Sequence, residues 1–428
     1  MTLVVGRSAR SAVMNFLSEI ALEFPDAISF ASGRPAEELF DLDGWIASLA
    51  DYRRRFAALE GMEDYQASRR FAQYGRTAGL INDLISAHLR NDHLLTCPAE
   101  RIIVTSGCQE AIALCLQALC KSAEDVVLAM NPTYIGLTGA ADFCGISLIP
   151  VNADRDEDRA LAVLRALEGV LAARLRPRAL YVVPDFDNPT GIVLSSAERS
   201  ALVEICADHG VVILEDNPYG MFRFEGDEVP TMASFDRSGC VLYLGTFSKT
   251  LCPSLRVGFV ALPATLFGEK NAVENLRVEI GERKSFLTVN TSQLNQAIVG
   301  GVLLKEGLTL QPLVKPATAL YRKNRDVMIH ALQRRLGSAS GDVNWNHPEG
   351  GFFISLRLPF SFRRKEVLEC ARSAKVLVSP MSFFALDESH DKSIRLSFSN
   401  VSVDEIAEGV RRFGTFVENR MRSAPIVA

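Results

Sequence analysis

The most informative segment of the chain, residues 245–258, places a lysine beside two groups that bind anions. Lys249 closely follows the apolar run CVLYL, and a free ammonium beside a buried strand is costly. We therefore expect its amine to be neutralised, paired or used covalently, and formation of an imine would meet that need. Ser248 and Arg256 add a hydroxyl and a fixed cation that suit a phosphate. An ordinary basic loop is the alternative interpretation.

A second apolar run, VVILE, leads directly into Asp216. Doubly wound sheets place ligand-binding groups at the carboxyl edge of their strands. A carboxylate there needs a cationic partner, and the protonated ring nitrogen of pyridoxal 5′-phosphate is one, because a protonated ring acts as an electron sink. Taken alone, an Asp after a strand is more often part of a turn or a helix cap.

Three further strand ends carry polar or aromatic side chains. Asn188 lies in an Asn-Pro-Thr-Gly turn at the same edge as Asp216, so that its amide, like the hydroxyl of Tyr219, can reach a ring oxygen. Gly107 lies between a strand and a helix, where free backbone N–H groups point at an anion such as phosphate. Tyr134 offers a face for stacking on a flat ring, although an isolated tyrosine is more often core or surface filler.

The elements that must position these groups are seven short apolar runs between residues 101 and 262. Such runs, bounded by turn residues, indicate strands buried on both faces. Longer amphipathic pieces separate several of them, and one of these opens with Ser195 and Glu198 in the pattern of a helix start. The alternation predicts an α/β fold with a doubly wound, mainly parallel sheet. The runs are RIIVT, VVLAM, SLIPV, ALYVV, VVILE, CVLYL and RVGFVAL.

The sequence changes character after residue 262. A long helix is predicted at about 313–336, and mixed strand and helix patterns follow from 343, as is typical of a smaller α+β domain. In that part we expect strands near 351–358 and 393–399 and helices near 364–374 and 403–419. We predict an N-terminal segment (1–45) that packs with the small domain, a large domain (46–315) and a small C-terminal domain (316–428).

Composition excludes several classes of function. The 46 Lys and Arg against 51 Asp and Glu give a net charge of −5, which provides no electrostatic reason to expect nucleic acid or an acidic membrane. The nine cysteines lack C-x-x-C spacing, and no secretory or membrane-spanning stretch is evident, so we expect a reducing cytoplasm. The six histidines show no H-x-x-x-H or H-E-x-x-H arrangement, so no metal site is expected. No G-x-G-x-x-G follows the first strand, which argues against a nicotinamide enzyme.

Taken in order along residues 28–398, these motifs resemble the fold-type I pyridoxal-phosphate aminotransferases of class I and II. The resemblance is strongest to the branch of 2-aminoadipate and kynurenine aminotransferases and MocR effector domains. It implies a seven-stranded large-domain sheet, an internal aldimine on Lys249, and use of that lysine as the acid and base in exchange of an amino group between an L-amino acid and a 2-oxo acid. It also implies that Asp216 pairs with the pyridine nitrogen and Arg395 binds the substrate α-carboxylate. The remaining cofactor-binding residues implied are Gly107, Cys108, Gln109, Tyr134, Asn188, Tyr219, Ser248 and Arg256.

The resemblance extends to the partner and to the substrate. Tyr74 matches a tyrosine that reaches the phosphate of the neighbouring subunit, which implies a homodimer with shared active sites. Gly33 matches a backbone position close to the substrate, as does Asn188. The chain departs from the family at Arg34, where a Gly-Gly-Leu-Pro motif is usual, and at Met381, where a glycine is usual. Arg34 either pairs with a distal carboxylate of the substrate or lies on the surface.

Two alternatives stay open at this point. The same cofactor supports elimination, replacement, cyclisation, oxidation or decarboxylation, and sequence motifs separate these reactions poorly. A non-catalytic sensor resembling a MocR effector domain is the other alternative. Only 27 residues precede Ile28, so we expect no winged-helix domain there. The N-terminal helix expected at 14–22 also lacks the arginine that some dicarboxylate-accepting relatives use.

Overall fold

The structure is a computed structural model that describes Phe16 and residues 19–153, 157–337 and 343–423. Within these residues the strands of the large sheet are β2 (Ile102–Thr105), β3 (Asp125–Met130), β4 (Ser147–Val151), β5 (Arg176–Val182), β6 (Val212–Asp216), β7 (Val241–Thr246) and β8 (Gly258–Ala261). The shorter strands are β1 (Ile28–Ser29), β9 (Asn344–Trp345), β10 (Phe353–Arg357), β11 (Val376–Leu377), β12 (Ser379–Pro380) and β13 (Ser393–Ser397).

The α-helices lie before, between and after these strands. In the first half of the chain they are Leu42–Glu60, Asp64–Phe71, Asn82–His93, Cys108–Leu119, Ile135–Cys144, Arg159–Ala172 and Ser196–Asp208. In the second half they are Met232–Phe235, Lys270–Leu287, Gln293–Lys305, Gln311–Leu336, Arg364–Ala374 and Val403–Ser423. None of the helices in the described part of the chain is long and apolar enough to cross a membrane.

The large sheet has the strand order β2-β8-β7-β6-β5-β3-β4. The neighbours from β7 to β4 are parallel, and β8 runs antiparallel to both β2 and β7. All seven predicted runs are strands of this sheet, which confirms the α/β fold with a mainly parallel seven-stranded sheet. Because β3, β5, β6 and β7 are parallel, their carboxyl ends lie at one edge, where the predicted site residues follow them.

Helices cover both faces of this sheet, and successive residues of its strands alternate between two apolar clusters. Leu180 and Ile213 belong to the cluster formed with helices Arg159–Ala172 and Ser196–Asp208. Tyr181 and Leu214 belong to the other cluster, which continues into the C-terminal part of the chain. Since side chains alternate along a strand, Asp216 lies on the same face as Leu214.

Local sequence explains where the site-bearing helices begin. The Ser195 hydroxyl accepts a hydrogen bond from the Glu198 backbone N–H at 3.2 Å, and the Glu198 carboxylate accepts one from the Ser195 backbone N–H at 2.9 Å, as the sequence predicted. The helix Cys108–Leu119 begins after Gly107, whose φ of 81° is readily adopted only by glycine. That turn brings the first backbone N–H groups of the helix to the carboxyl edge of the sheet.

The C-terminal part forms a four-stranded antiparallel sheet in the order β12-β13-β10-β9. The N-terminal β1 pairs in parallel with β11, so the first described residues lie against this part of the chain. The proposed domain boundary at 315/316 falls within the helix Gln311–Leu336. Met14 of the expected N-terminal helix lies outside the described residues, whereas Phe16 and residues 19–23 are helical.

Candidate active site

Lys249 lies three residues beyond the end of β7, at the carboxyl edge of the sheet. Its Nζ donates a hydrogen bond to the backbone carbonyl of Gly33 at 3.0 Å, so the N-terminal segment contacts the lysine directly. Burial, followed by the charges of Arg395 and Arg256, lowers the pKa of Lys249 to about 8. A substantial fraction of this amine is therefore neutral near physiological pH and able to act as a nucleophile or a base.

Asp216 is the last residue of β6 and is 3% exposed. Tyr181 donates its hydroxyl to Oδ2 at 2.6 Å, and Cys108 donates its thiol to Oδ1 at 3.2 Å. Burial raises the pKa of Asp216, and the two hydrogen bonds and the charge of Lys249 oppose that rise. Among the described residues it forms no salt bridge, so this buried carboxylate is oriented but lacks a close cation.

The Gly107 turn and Arg256 form a small basic cradle beside Asp216. A Cβ at Gly107 would collide with the guanidinium of Arg256, so the approach of the two depends on the glycine. Arg256 donates from Nη2 to the Ser106 carbonyl at 3.2 Å. Ser248 lies in the same loop and accepts at Oγ from the Thr246 hydroxyl at 3.0 Å. Free N–H groups at a helix start and a fixed guanidinium together suit a phosphate dianion.

Arg395, on β13, is 4% exposed and donates from Nη1 to Oδ1 of Asn188 at 2.5 Å. Its guanidinium carbon lies 4.4 Å from the ring centroid of Phe353 and 4.7 Å from that of Phe384. Its Nη2 donates to the Ala31 carbonyl, whereas its Nε is buried and has no hydrogen-bond partner among the described residues. Burial lowers the pKa of Arg395 to about 10, yet the group stays cationic at neutral pH. A buried cation with spare donors is suited to binding a carboxylate.

Two tyrosines complete the site. Tyr219 is 3% exposed, and its ring packs edge-on against Phe352 and Phe353, with centroid separations of 5.1 and 5.7 Å. Tyr134 precedes the helix Ile135–Cys144, and a Cβ at Gly136 would collide with its ring. Burial raises the pKa values of both tyrosines, so both keep their protons and act as donors.

A model of the aminotransferase class I and II family matches residues 27–413 of the chain. The chain belongs to the class I and II aminotransferases. The (S)-3,5-dihydroxyphenylglycine transaminase of Amycolatopsis orientalis is 37% identical over 416 residues, covering 96% of this chain and 92% of that protein.

Solved structures of aminotransferases share the fold over nearly their whole length. The multiple substrate aminotransferase of Thermococcus profundus is 26% identical with a TM-score of 0.82, covering 99% of this chain and 97% of that one. The α-aminoadipate aminotransferase of Thermus thermophilus, complexed with N-(5′-phosphopyridoxyl)-L-leucine, is 28% identical with a TM-score of 0.76, covering 95% of this chain and 96% of that one. The predicted fold-type I architecture, pyridoxal 5′-phosphate as cofactor and transamination as reaction are therefore confirmed for this aminotransferase.

The donor set of the site fits that cofactor. The Asp216 carboxylate forms no salt bridge with a described side chain, a Cβ at Gly107 would fill the turn, and the Lys249 amine has a lowered pKa. These three features match a pyridine nitrogen, a phosphate and an aldehyde respectively. No group of three or more His, Cys, Asp and Glu side chains that could hold a metal ion occurs in the described ranges.

Several predicted residues lie differently from the rest of the set. Tyr74 is 81% exposed and is not part of the buried site of its own chain, and the Arg34 side chain is exposed, although its charge acts on Lys249. Gln109 donates its side-chain amide to the Gly136 carbonyl at 2.7 Å. The Cys108 thiol, expected near the phosphate, lies on Asp216 instead.

Sequence reasoning missed Tyr181, Phe353 and Phe384 as site residues. Tyr181 lies inside a predicted apolar strand, where a tyrosine is usually core. A hydroxyl in a buried strand signals that a partner is needed, but the sequence does not identify Asp216 as that partner, because the contact depends on the register of β5 and β6. The two phenylalanines carried no such signal, because their contact with Arg395 depends on the packing of β10 and the segment 381–384.

Proposed function

We propose that this aminotransferase carries pyridoxal phosphate covalently on Nζ of Lys249 and moves the α-amino group of an L-amino acid to a 2-oxo acid through that cofactor. The observation that carries the proposal is the Lys249 amine itself. It lies at the carboxyl edge of the large sheet with Asp216. The charge of Arg395, on β13 of the smaller sheet, also acts on it, and its pKa is lowered to about 8. When bound, the cofactor supplies an aldehyde that reacts with amines and a ring that accepts electrons from the substrate Cα.

The proposed cofactor contacts follow the geometry of the strand edge. Asp216 holds the ring nitrogen, and Asn188 and Tyr219 donate to the ring hydroxyl oxygen. Tyr134 stacks on the ring. The phosphate is bound by the Gly107 turn with the first N–H groups of its helix, at Cys108 and Gln109, and by Ser248 and Arg256. These assignments give each polar group of the site a partner that matches its charge.

The substrate contacts depend on Arg395. Its guanidinium packs against the rings of Phe353 and Phe384. Its Nη1 and Nη2 are anchored on Asn188 and on the Ala31 carbonyl, so its remaining donors are fixed for the α-carboxylate. With the carboxylate fixed, Lys249 removes the proton from the substrate Cα and returns one during the reverse half-reaction. The backbone of Gly33 and the exposed Arg34 lie on the side proposed for the substrate side chain.

An aromatic amino acid is the donor class we propose to test first. The relative with 37% identity is a (S)-3,5-dihydroxyphenylglycine transaminase, and the arginine proposed to bind the substrate here packs against two phenylalanine rings. Arg34 adds a cation for a distal polar oxygen of the side chain. Comparison of phenylglycine-type donors, phenylalanine and 2-aminoadipate by kcat/KM would rank these classes directly.

We also propose a homodimer with shared active sites. Tyr74 is 81% exposed and Phe286 is 92% exposed, and the segments that carry them are joined by a 3.3 Å hydrogen bond from the Gly75 N–H to Asn290. Two exposed aromatic side chains on neighbouring segments fit burial against a second copy of the chain.

All nine cysteines are free thiols, which supports the reducing cytoplasm as compartment.

Complementation between two variants tests the shared site. Lys249→Ala and Tyr74→Phe protomers are each expected to be impaired as homodimers. In a mixed dimer, one site combines the intact Lys249 of one protomer with the intact Tyr74 of the other, so activity returns. Mixed dimers that stay as impaired as the parents, or a monomeric protein in sedimentation, would contradict the proposal.

An absorption titration tests the reaction and the role of the lysine together. Amino acids added singly are expected to discharge the visible band of the purified enzyme, and a 2-oxo acid is expected to restore it. Lys249→Ala should abolish the cycle, whereas the matched variant Lys270→Ala, at an exposed helix start, should cycle normally. Normal cycling by Lys249→Ala would refute the assignment.

A further inference from the structure

Two side chains of the site contact Asp216 instead of facing the cofactor or the substrate. We propose that Tyr181 and Cys108 are positioning residues that fix the Asp216 carboxylate and keep it ionised against the ring nitrogen. The inference rests on the role proposed for Asp216, and it assigns to the tyrosine and the thiol an effect on the charge of the ring.

Both oxygens of the Asp216 carboxylate are engaged, each by a different donor. The hydroxyl of Tyr181 lies 2.6 Å from Oδ2, and the thiol of Cys108 lies 3.2 Å from Oδ1. The hydroxyl comes from β5 and the thiol from the first turn of the helix Cys108–Leu119. Two donors from separate elements fix the plane of the carboxylate more firmly than either would alone.

Strand register explains why the tyrosine reaches the carboxylate. Tyr181 is paired with Leu214 of β6, which lies two residues before Asp216 on the same face of the sheet. A tyrosine side chain is long enough to span that offset along the neighbouring strand. Tyr181 is 1% exposed, so its hydroxyl has no access to bulk water as an alternative partner.

Both groups keep their protons at neutral pH. Burial, then the charge of Asp216, raises the pKa of Tyr181 well above its usual value, and the same two causes raise the pKa of Cys108. The other titratable or charged groups that act on this cluster are Lys249, Tyr134, Cys115 and Arg256. Tyr181 and Cys108 therefore both donate to Asp216 at neutral pH.

Donation to a carboxylate lowers its basicity. A less basic Asp216 leaves the shared proton on the ring nitrogen, so the ring keeps its positive charge. Loss of the Tyr181 hydroxyl would move that proton towards Asp216 and weaken the ring as an electron acceptor. The same loss of positive charge raises the proton affinity of the conjugated nitrogen at Lys249.

Tyr181→Phe in the holoenzyme tests the proposal, because it removes only the hydroxyl. We expect kcat to fall about tenfold, since a hydrogen bond to a charged group is worth about that factor. The KM for the amino donor should change little, because Arg395 is untouched. The pH midpoint of the visible absorption change should move upward, and the dissociation constant for pyridoxal phosphate should rise. A purely structural role for the hydroxyl would leave the midpoint in place.

Tyr243→Phe is the matched control. Tyr243 is also a 1% exposed strand tyrosine, but its hydroxyl lies 3.2 Å from Nδ1 of His93 and makes no hydrogen bond to Asp216. This variant is expected to keep the wild-type pH midpoint. If Tyr243→Phe and Tyr181→Phe shift the midpoint equally, the effect is a general result of losing a buried hydroxyl and the proposal fails.

Cys108 variants provide an independent arm should Tyr181→Phe fold poorly. Cys108→Ala removes the thiol donor and is expected to shift the pH midpoint upward by less than Tyr181→Phe does. Cys108→Ser keeps a donor at this position and is expected to have the wild-type midpoint. Wild-type midpoints in both Tyr181→Phe and Cys108→Ala would overturn the inference. Asp216→Asn tests the role proposed for Asp216 separately. A wild-type rate in that variant would refute that role, and not only the inference about Tyr181 and Cys108.

Discussion

The surroundings of Lys249 predict how the apoenzyme captures its cofactor as a function of pH. Burial and three arginines, Arg395, Arg256 and Arg34, lower the pKa of this amine from 10.5 to about 8. Only the neutral amine attacks an aldehyde. At pH 7 the neutral fraction is about 10% for a pKa of about 8, roughly 300-fold more than for an unperturbed lysine. The shift corresponds to about 3 kcal/mol of unfavourable free energy on the charged form.

The assay mixes apoenzyme with pyridoxal phosphate over a range of pH and follows the rise of visible absorbance. The rate constant should increase with pH, reach half its maximum near pH 8 and level off above that value. A small primary amine treated in parallel provides the correction for the ionisations of the cofactor itself.

Arg395→Met provides the internal check on this reasoning. Arg395 is the largest charge-based cause of the lowered pKa of Lys249, so its removal should move the midpoint of the capture rate upward. A wild-type midpoint near pH 10.5, or an unchanged midpoint in Arg395→Met, would refute the lowered pKa of this lysine.

The same shift makes the stability of the apoenzyme depend on pH. Because folding lowers the pKa of Lys249, its charged form opposes folding fully below about pH 8, and this penalty disappears as the pH rises towards 10.5.

Three further predictions concern the other parts of the site. Asp216→Asn should lower kcat about a hundredfold, because it removes the charge opposite the ring nitrogen. It should not lower the apoenzyme Tm, since it also removes an unpaired buried charge. Arg395→Lys should raise the KM for both donor and acceptor about tenfold in steady-state assays, because a lysine cannot bind a carboxylate through two parallel hydrogen bonds. Gly107→Ala should raise the cofactor dissociation constant about tenfold, because φ is 81° there and the added methyl collides with Arg256.

Each of these predictions has a contrasting outcome. A wild-type rate in Asp216→Asn would remove its assigned role, and an effect of Arg395→Lys on one substrate alone would contradict a shared α-carboxylate site. Gly169→Ala is the control for Gly107→Ala, because Gly169 lies in the helix Arg159–Ala172 with no atom within 4 Å of an added Cβ. Equal loss of cofactor affinity in both glycine variants would exclude the cradle at Gly107 as the cause.

The large sheet could be predicted from sequence because each strand is a continuous apolar run bounded by turn residues. The same periodic reasoning predicted the helix Arg364–Ala374 and most of Gln311–Leu336. The two-residue strands β1, β9, β11 and β12 were not predicted, because so short a strand shows no period in the sequence. The pairing of β1 with β11 depends on the tertiary contact between the N-terminal segment and the C-terminal part, and β9 and β12 pair within the C-terminal sheet.

For the site, the sequence predicts the residues that follow strand ends, because parallel strands bring their carboxyl ends together. Lys249, Asp216 and Asn188 are of this kind. Contacts that depend on strand register, or on how two secondary-structure elements pack against each other, could not be predicted. The hydrogen bond from Tyr181 to Asp216 and that from Lys249 to the Gly33 carbonyl are examples, because each joins residues far apart in the chain.

Reduction of the holoenzyme with borohydride, followed by peptide mass spectrometry, tests directly whether Lys249 carries the cofactor. Reduction converts a covalent link between the cofactor and a lysine into a stable amine that survives digestion. We expect a phosphopyridoxyl group on the peptide that contains Lys249 and on no other lysine. A modified lysine elsewhere in the chain, or a fully active enzyme in which Lys249 stays unmodified, would contradict it.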